Sequence, residues 1–127
     1  EAAEFVRAMG QEAIRAKGQF LIALSGGKTP EILYRALTSP SFAERFDWSR
    51  TVFLFSDERC VPPDDPRSNY ALANNTLFTP LNIAPSQVYR MAGESPDPRA
   101  AAGLPVRQPC APCGHGRRLA GIDGARL

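Results

Sequence analysis

Short apolar runs alternate with stretches of helical periodicity along most of the chain. Two apolar runs predict strands, at residues 20–24 and 52–55, and the mixed segment 87–91 predicts a third. Three stretches with apolar residues at helical spacing predict helices, at residues 1–18, 30–37 and 68–78. Because the run at 20–24 contains apolar residues only, we expect that strand to be buried on both faces of a parallel sheet.

The alternation of strand and helix predicts a Rossmann-like α/β fold with a doubly wound, mostly parallel sheet. Ligands of such folds bind above the carboxyl ends of the strands, so the segments after residues 24 and 55 are the candidates for a site. We expect Thr29 to cap the second helix and Pro30 to take its first helical position. The predicted inward-facing residues of the first two helices are Phe5, Val6, Met9, Ala13, Ile14, Ile32, Leu33, Ala36 and Leu37.

Length and composition narrow the class of protein. The chain has 127 residues, 43% hydrophobic and 22% charged, as expected of one ordinary domain or part of a larger one. No apolar stretch approaches the roughly 20 residues that span a bilayer, and no secretory leader is recognisable. We therefore expect no membrane partner and a cytoplasmic location. Three unevenly placed cysteines favour a reducing compartment over a disulfide framework.

The last 29 residues differ in composition from the first 98. Residues 1–98 carry 10 Lys and Arg against 12 Asp and Glu, a balance of −2, whereas residues 99–127 carry 5 against 1, or +4. The tail holds no Phe, Trp or Tyr, and its three prolines exclude a long helix. We therefore divide the chain into a domain over 1–98 and an irregular basic tail over 99–127. The tail's arginines are too dispersed to predict a nucleic-acid partner.

A cluster in the tail resembles an incomplete zinc site. Cys110, Cys113 and His115 offer three potential ligands, but a closed structural site requires a fourth, and Cys60 lies in another loop. We predict no metal site.

The loop after the first strand has the chemistry of an anion cradle. Gly26 and Gly27 let the backbone approach a ligand, and the following helix start presents unpaired N–H groups. Ser25, Lys28 and Thr29 can add side-chain donors. A nucleotide-binding P-loop is excluded by spacing, because Ile22 stands where the first glycine of that motif would fall. The remaining alternative is a tight turn without a ligand.

The loop after the second strand places acid and base side by side. Asp57 can orient a hydroxyl or a water, and Arg59 can clamp phosphate or carboxylate. Because the ends of neighbouring parallel strands lie at one edge of a sheet, we expect this loop and the glycine-rich loop to converge on one crevice. The alternative is a solvated, salt-bridged loop.

Three motifs together resemble the 6-phosphogluconolactonase family: Ser-Gly-Gly-Lys-Thr-Pro at 25–30, Ser-Asp-Glu-Arg-Cys-Val-Pro at 56–62 and Ser-Asn-Tyr at 68–70. The resemblance implies a fold of the sugar-phosphate isomerase and lactonase type, truncated in this chain. It also implies hydrolysis of 6-phosphoglucono-δ-lactone to 6-phosphogluconate in the pentose phosphate pathway. The implied partner is a small phosphosugar lactone, and no cofactor is implied.

Carried over residue by residue, the resemblance assigns roles within these motifs. The implied phosphate-binding residues are Gly26, Gly27 and Thr29, with Lys28 beside them. Asp57 and Arg59 are implied to line the sugar and phosphate as the catalytic candidates. Ser68 and Asn69 are implied to support the rim of the substrate site.

The same resemblance places the catalytic base, a histidine that activates water, in a later Gly-x-Asp-Gly-His-x-Ala-Ser segment. Gly-Ile-Asp-Gly at 121–124 matches the first four positions of that segment, but Ala125 stands at the position of the histidine. We therefore expect the chain to be inactive in lactone hydrolysis and to bind phosphosugars at best. Our hypothesis for residues 99–127 is a shifted reading frame or a fragment.

Two alternatives stay open. The glucosamine-6-phosphate deaminase family shares the fold and the phosphate loop, but its second strand ends in a motif like Met-Asp-Glu-Tyr, whereas Arg-Cys-Val-Pro at 59–62 is lactonase-like. A phosphosugar-binding remnant without catalysis is the other alternative. The sequence leaves the oligomeric state undetermined.

Overall fold

The computed structural model describes residues 1–97 and the backbone of Val106–Arg107. Its helices are α1 (Ala2–Lys17), α2 (Lys28–Leu37), α3 (Pro40–Ala43) and α4 (Asn69–Ala73), the last continued by a wider π turn at Asn74–Phe78. Its strands are β1 (Phe20–Leu24), β2 (Thr51–Phe55), β3 (Tyr89–Arg90) and β4 (Val106–Arg107). Single 3₁₀ turns lie at Trp48–Arg50 and Pro85–Gln87.

The first two predicted strands are confirmed as neighbours in a parallel sheet. β1 and β2 pair from Phe20 opposite Thr51 to Leu24 opposite Phe55. The third predicted strand, over 87–91, is shorter than predicted. Val88 makes one parallel bridge to Phe53. Tyr89–Arg90 then pairs antiparallel with Val106–Arg107. The fold class is therefore α/β with a parallel sheet, as predicted.

The described helices cover one face of this sheet. Leu24, Phe53 and Phe55 project into one buried cluster, and α1, α2 and α4 all pack against it. Ring contacts tie the cluster together, with Phe53 and Phe78 edge to face at 5.1 Å between centroids. On the opposite face Leu21 remains 51% exposed, so the prediction of burial on both faces is wrong for β1 within the described residues.

Helix α1 ends where predicted but is rotated relative to the prediction. Gly18 adopts φ 78° and terminates it. Phe5 and Met9, predicted to face inward, are 68% and 52% exposed. The reason is Gly10, which lies on the inner face so close to Phe46 that an added Cβ would approach that ring to 2.5 Å. Because Gly10 has no side chain, α1 approaches Phe46 at this residue, and the larger Phe5 and Met9 side chains face outward.

Helix α2 begins earlier than predicted. Gly27 is its N-cap and Lys28 its first residue, so Thr29 does not cap the helix and Pro30 is the third helical residue. Pro30 is tolerated there because the first four N–H groups of a helix have no intrahelical partner. Ile32 is 70% exposed, and Ala36 is exposed as well. Leu33 and Leu37 form the inner face as predicted, and Tyr34 joins them there.

Little of the predicted tail is described. The two residues of β4 depart from the irregular backbone expected over 99–127. The Cys110, Cys113 and His115 cluster and Ala125 lie outside the described residues, and the boundary at residue 98 stays a prediction. Within residues 1–97 no helix is long and apolar enough to cross a bilayer.

Candidate functional site

The two candidate loops start side by side at the carboxyl ends of β1 and β2. We call residues 25–27 the glycine loop and residues 56–61 the acid loop. The Ser56 backbone N–H and hydroxyl both donate to the Leu24 carbonyl, at 2.9 and 3.0 Å. The predicted convergence of the loops therefore follows directly from the β1–β2 pairing.

The glycine loop is anchored by a tyrosine that the sequence prediction missed. The Tyr34 hydroxyl accepts from the Ser25 N–H at 3.1 Å and donates to the Ser25 carbonyl at 2.6 Å. Burial raises the pKa of this phenol, and the nearby Asp57 charge raises it further. Tyr34 therefore stays protonated and keeps donating. Its signal in the sequence was its i, i+3 spacing with Leu37 on the inner face of α2.

Gly27 completes the turn into α2. Its φ of 107° lies in a region that residues with a side chain rarely adopt. Lys28 and Thr29 follow in the first turn with exposed side chains. The first N–H groups of this ten-residue helix and its dipole give the position a partial positive charge, which suits an anion.

A glutamate organises the acid loop, and it too was missed. Glu58 Oε1 accepts from the N–H groups of Arg59 and Asn69, each at 2.7 Å. Glu58 Oε2 accepts from the Ser68 hydroxyl and the Tyr70 N–H, each at 2.9 Å. These bonds fasten the start of α4 to the acid loop. The Ser-Asp-Glu-Arg-Cys-Val-Pro motif at 56–62 gave no sign of these bonds in the sequence.

Ser68 and Asn69 are buried at this junction. Ser68 is the N-cap of α4, within the segment 68–78 predicted as helix, and its hydroxyl accepts from the Ala71 N–H at 3.2 Å. The Asn69 amide donates to the Asp57 carbonyl at 3.2 Å. The same amide contacts the glycine loop, because a Cβ on Gly26 would lie 1.8 Å from Asn69 Oδ1. Asn69 thus touches both loops.

Asp57 and Arg59 have exposed side chains at the open side of the acid loop. The Asp57 carboxylate accepts from the Ser56 hydroxyl at 3.3 Å. The backbone behind Arg59 is supported by Gly93, where a Cβ would meet the Arg59 carbonyl oxygen at 2.1 Å. Exposed, oppositely charged side chains on a fixed backbone can hold and polarise a small polar ligand.

A cleft of about 770 Å³ opens between α2, the acid loop and α4. Five of the predicted site residues line it: Gly27, Lys28, Arg59, Ser68 and Asn69. The other four, Ser25, Gly26, Thr29 and Asp57, belong to the loops and the helix start beside it. The binding and catalytic roles of all nine stay predictions.

The cleft wall holds charges of both signs. Besides Lys28 and Arg59, it includes Arg67, whose guanidinium pairs with both Asp65 oxygens at 2.9 and 3.0 Å. These hydrogen bonds lower the pKa of Asp65 to about 2. Glu31 also lines the cleft and pairs with Arg35 at 2.8 Å. Among the described residues, no group of three His, Cys, Asp or Glu side chains comes together as a metal site would require.

Comparison with known proteins matches this chain to lactonases. The family model described as glucosamine-6-phosphate isomerases/6-phosphogluconolactonase matches residues 1–105. The 6-phosphogluconolactonase of Treponema pallidum is 43% identical over 81 residues, which is 64% of this chain and 33% of the relative. That of Haemophilus influenzae is 39% identical over 74 residues, or 58% of this chain and 32% of the relative.

Solved structures agree with the sequence matches. The 6-phosphogluconolactonase of Thermotoga maritima superposes with a TM-score of 0.68 at 31% identity, covering 79% of this chain and 44% of that one. The enzyme of Trypanosoma cruzi superposes with a TM-score of 0.61 at 30% identity, covering 72% of this chain and 34% of that one. The chain spans about a third of the length of the curated relatives it matches.

Proposed function

We propose, from the premise that the chain belongs to the glucosamine-6-phosphate isomerase/6-phosphogluconolactonase family, that its cleft binds the phosphosugar of a lactonase reaction. The reaction is hydrolysis of 6-phosphoglucono-δ-lactone to 6-phosphogluconate. The substrate is a small phosphosugar lactone, no cofactor takes part, and the location is the cytoplasm. The lactonase names of the relatives support this reaction over the deamination of glucosamine-6-phosphate.

The observation that carries the proposal is the shared cleft. A glycine loop with a helix start behind it and an exposed acid–base pair meet at one sheet edge, joined through Asn69. The glycine loop and the first turn of α2 suit a phosphate, because their N–H groups and Lys28 favour an anion. In this proposal Asp57 and Arg59, which are exposed on the acid loop beside the glycine loop, contact the sugar ring.

Each predicted site residue takes a role in this proposal. Gly26, Gly27 and Thr29 cradle the phosphate, with Ser25 and Lys28 adding donors. Asp57 orients the ring and Arg59 neutralises the charge that develops on the lactone oxygen. Ser68 and Asn69 hold the rim rather than the ligand, since Ser68 and Asn69 are 2% and 4% exposed.

Hydrolysis also requires a base that activates water for attack on the lactone carbonyl. A missing general base typically lowers the rate by about 100- to 10,000-fold. Since the chain spans about a third of its relatives, we assign the binding half of the reaction to the residues described and leave the base to the whole protein. Ala125, at the position of the expected histidine, cannot supply it.

Calorimetric titration of the chain with 6-phosphogluconate, the stable product, tests the proposal. We expect saturable binding that Arg59→Ala and Lys28→Ala each weaken, and much weaker binding of gluconate, which lacks the phosphate. Equal binding of gluconate would contradict the phosphate anchor. Tighter binding of glucosamine-6-phosphate than of 6-phosphogluconate would favour the deaminase alternative.

A further inference from the structure

The Glu58 carboxylate lies in the wall of a cleft that we assign to an anion. A negative charge in that position repels phosphate, by simple electrostatics, and would weaken binding. The described contacts indicate a different use of the group. Both of its oxygens face donors from the protein, three backbone N–H groups and one hydroxyl, at 2.7 to 2.9 Å.

Three of these four bonds link Glu58 to groups ten to twelve residues away along the chain, and the fourth comes from the adjacent Arg59 N–H. On one side, the Arg59 N–H fixes the backbone that carries Asp57 and Arg59. On the other side, two of the first N–H groups of α4 are satisfied, and such groups have no partner within the helix. Hydrogen bonds from N–H groups to a carboxylate are also stronger than bonds between neutral groups.

The consequence extends to the glycine loop. The Asn69 backbone bonds to Glu58, while its side chain donates to the Asp57 carbonyl and contacts Gly26. Movement of Glu58 would therefore shift Asn69, and with it the distance between the two loops. By contrast, the glycine loop itself is held by Tyr34 and by the start of α2.

We propose that Glu58 is a positioning residue, which touches no substrate and fixes Asp57 and Arg59 relative to the glycine loop. This proposal rests on the proposed function. It predicts a selective defect, because phosphate alone needs only the glycine loop, whereas the sugar ring also needs the acid loop. Loss of the Glu58 geometry should therefore weaken binding of 6-phosphogluconate and leave that of inorganic phosphate nearly unchanged.

The test compares Glu58→Gln, Glu58→Asp and Glu31→Gln in the full chain, titrated with 6-phosphogluconate and with inorganic phosphate. Glu58→Gln keeps the side-chain size but turns an amide NH₂ toward protein donors, so we expect about 10-fold or more weaker binding of 6-phosphogluconate, or about 1.4 kcal/mol. Glu58→Asp keeps the charge and withdraws it by one methylene, so we expect a loss in the same direction. Inorganic phosphate should change by less than about threefold, which is under 0.7 kcal/mol.

Glu31→Gln is the matched control, because it removes the same charge from the same cleft wall while its partner is the exposed Arg35. We expect it to bind 6-phosphogluconate no more weakly than the unmodified chain. Glu58→Gln binding as tightly as Glu31→Gln would overturn the proposal in favour of a purely electrostatic role. Should Glu58→Gln fail to fold, unchanged binding by Glu58→Asp would overturn it equally.

Amide hydrogen exchange separates this proposal from the proposed function, because it needs no ligand. In Glu58→Asp we expect faster exchange at the Asn69 and Tyr70 amides and no change at Ser25. Faster exchange without any phosphosugar binding by the unmodified chain would contradict the proposed function alone. Unchanged exchange at Asn69 and Tyr70 would contradict the positioning role, whatever the chain binds.

Discussion

The glycine loop and the acid loop form one cleft but are held in different ways. The glycine loop takes its shape from local features: the φ of Gly27, the start of α2 and a tyrosine hydroxyl nine residues away. The acid loop depends on Glu58, which binds groups ten to twelve residues away. The first arrangement is readable from a short stretch of sequence, and the second is visible only after the chain has folded.

This difference also separates the chemistry of the two loops. The glycine loop presents backbone N–H groups, whose positions follow from the helix start. The acid loop presents the side chains of Asp57 and Arg59, which need an external frame because they extend from irregular backbone. We infer that the anion anchor is the more robust half of the site and that selectivity for the sugar depends on the frame around Glu58.

The largest effect is expected at the contact where the two loops meet. In Gly26→Ala the new Cβ would lie 1.8 Å from Asn69 Oδ1, so the Asn69 amide must move and release the Asp57 carbonyl. Overpacking of this kind costs about 2 to 3 kcal/mol of unfolding free energy. Urea denaturation measures the loss, and titration with 6-phosphogluconate should show weaker binding.

The control is Gly26→Ala in an Asn69→Ala background, which lacks the opposing amide. In an Asn69→Ala background the crowding atoms are gone, so Gly26→Ala should cost less than about 1 kcal/mol, which gives a coupling of about 1 to 2 kcal/mol. If Gly26→Ala costs the same stability in both backgrounds, the glycine loop and the acid loop do not meet through Asn69.

Tyr34→Phe tests the anchor of the glycine loop alone. The substitution keeps the buried ring but leaves the Ser25 N–H and carbonyl without their partner, and we expect a loss of about 1.5 kcal/mol in unfolding free energy. Because Tyr34 makes no bond to the acid loop, binding of phosphate and of 6-phosphogluconate should weaken by the same factor. Thr38→Val at the C-cap of the same helix removes an exposed hydroxyl bond and should cost less than about 0.5 kcal/mol.

The sequence predicted the parts of the fold that short-range patterns determine. The first two strands and the end of α1 at Gly18 are confirmed because apolar runs and glycine act within a few residues. The inner faces of α1 and α2 were predicted only in part. Helical spacing allowed either flank to face inward, and the choice was made by tertiary contacts at Gly10 and Tyr34.

The candidate site divides in the same way. The nine predicted residues came from motifs in which backbone conformation or charge is evident from residue type. Glu58 lay within one of these motifs, but its four partners depend on how α4 docks on the acid loop, which no pattern in a single sequence encodes. Gly93, more than thirty residues from the acid loop, carried no signal for the same reason.

Ser68→Ala tests the frame of the acid loop with a smaller change. The hydroxyl caps α4 and also donates to Glu58, and removal of such a cap costs about 1 kcal/mol. Binding of 6-phosphogluconate should weaken slightly more than that of phosphate. Ser39→Ala is the matched control, because Ser39 is the N-cap of α3 without a side-chain bond to that helix. Thermal unfolding of both variants should show the smaller loss in Ser39→Ala.

The smallest effect is expected at the outer support of the acid loop, where Arg90 donates to Glu94 at 2.8 Å. These hydrogen bonds lower the pKa of Glu94 to about 2 from an ordinary 4.5, so the pair stabilises the fold above pH 4.5 and loses that contribution as the pH falls toward 2. Because Glu94 is exposed, Glu94→Gln should cost no more than about 0.5 kcal/mol at pH 7, and less at high salt. Denaturation of the unmodified chain and of Glu94→Gln at pH 7 and at pH 2 measures this difference in unfolding free energy.

The Glu94→Gln result decides whether the acid loop is held from within or from the surface. Arg90 lies 6.0 Å from the Tyr70 ring, and the Tyr70 N–H bonds to Glu58, so a surface ion pair stands next to the inner frame. If the surface pair were the main support, Glu94→Gln would approach the cost of Gly26→Ala at pH 7, and that cost would also fade toward pH 2, where the unmodified chain loses the pair. A loss of no more than about 0.5 kcal/mol at pH 7, with binding of 6-phosphogluconate unchanged, assigns the support to the Glu58 carboxylate.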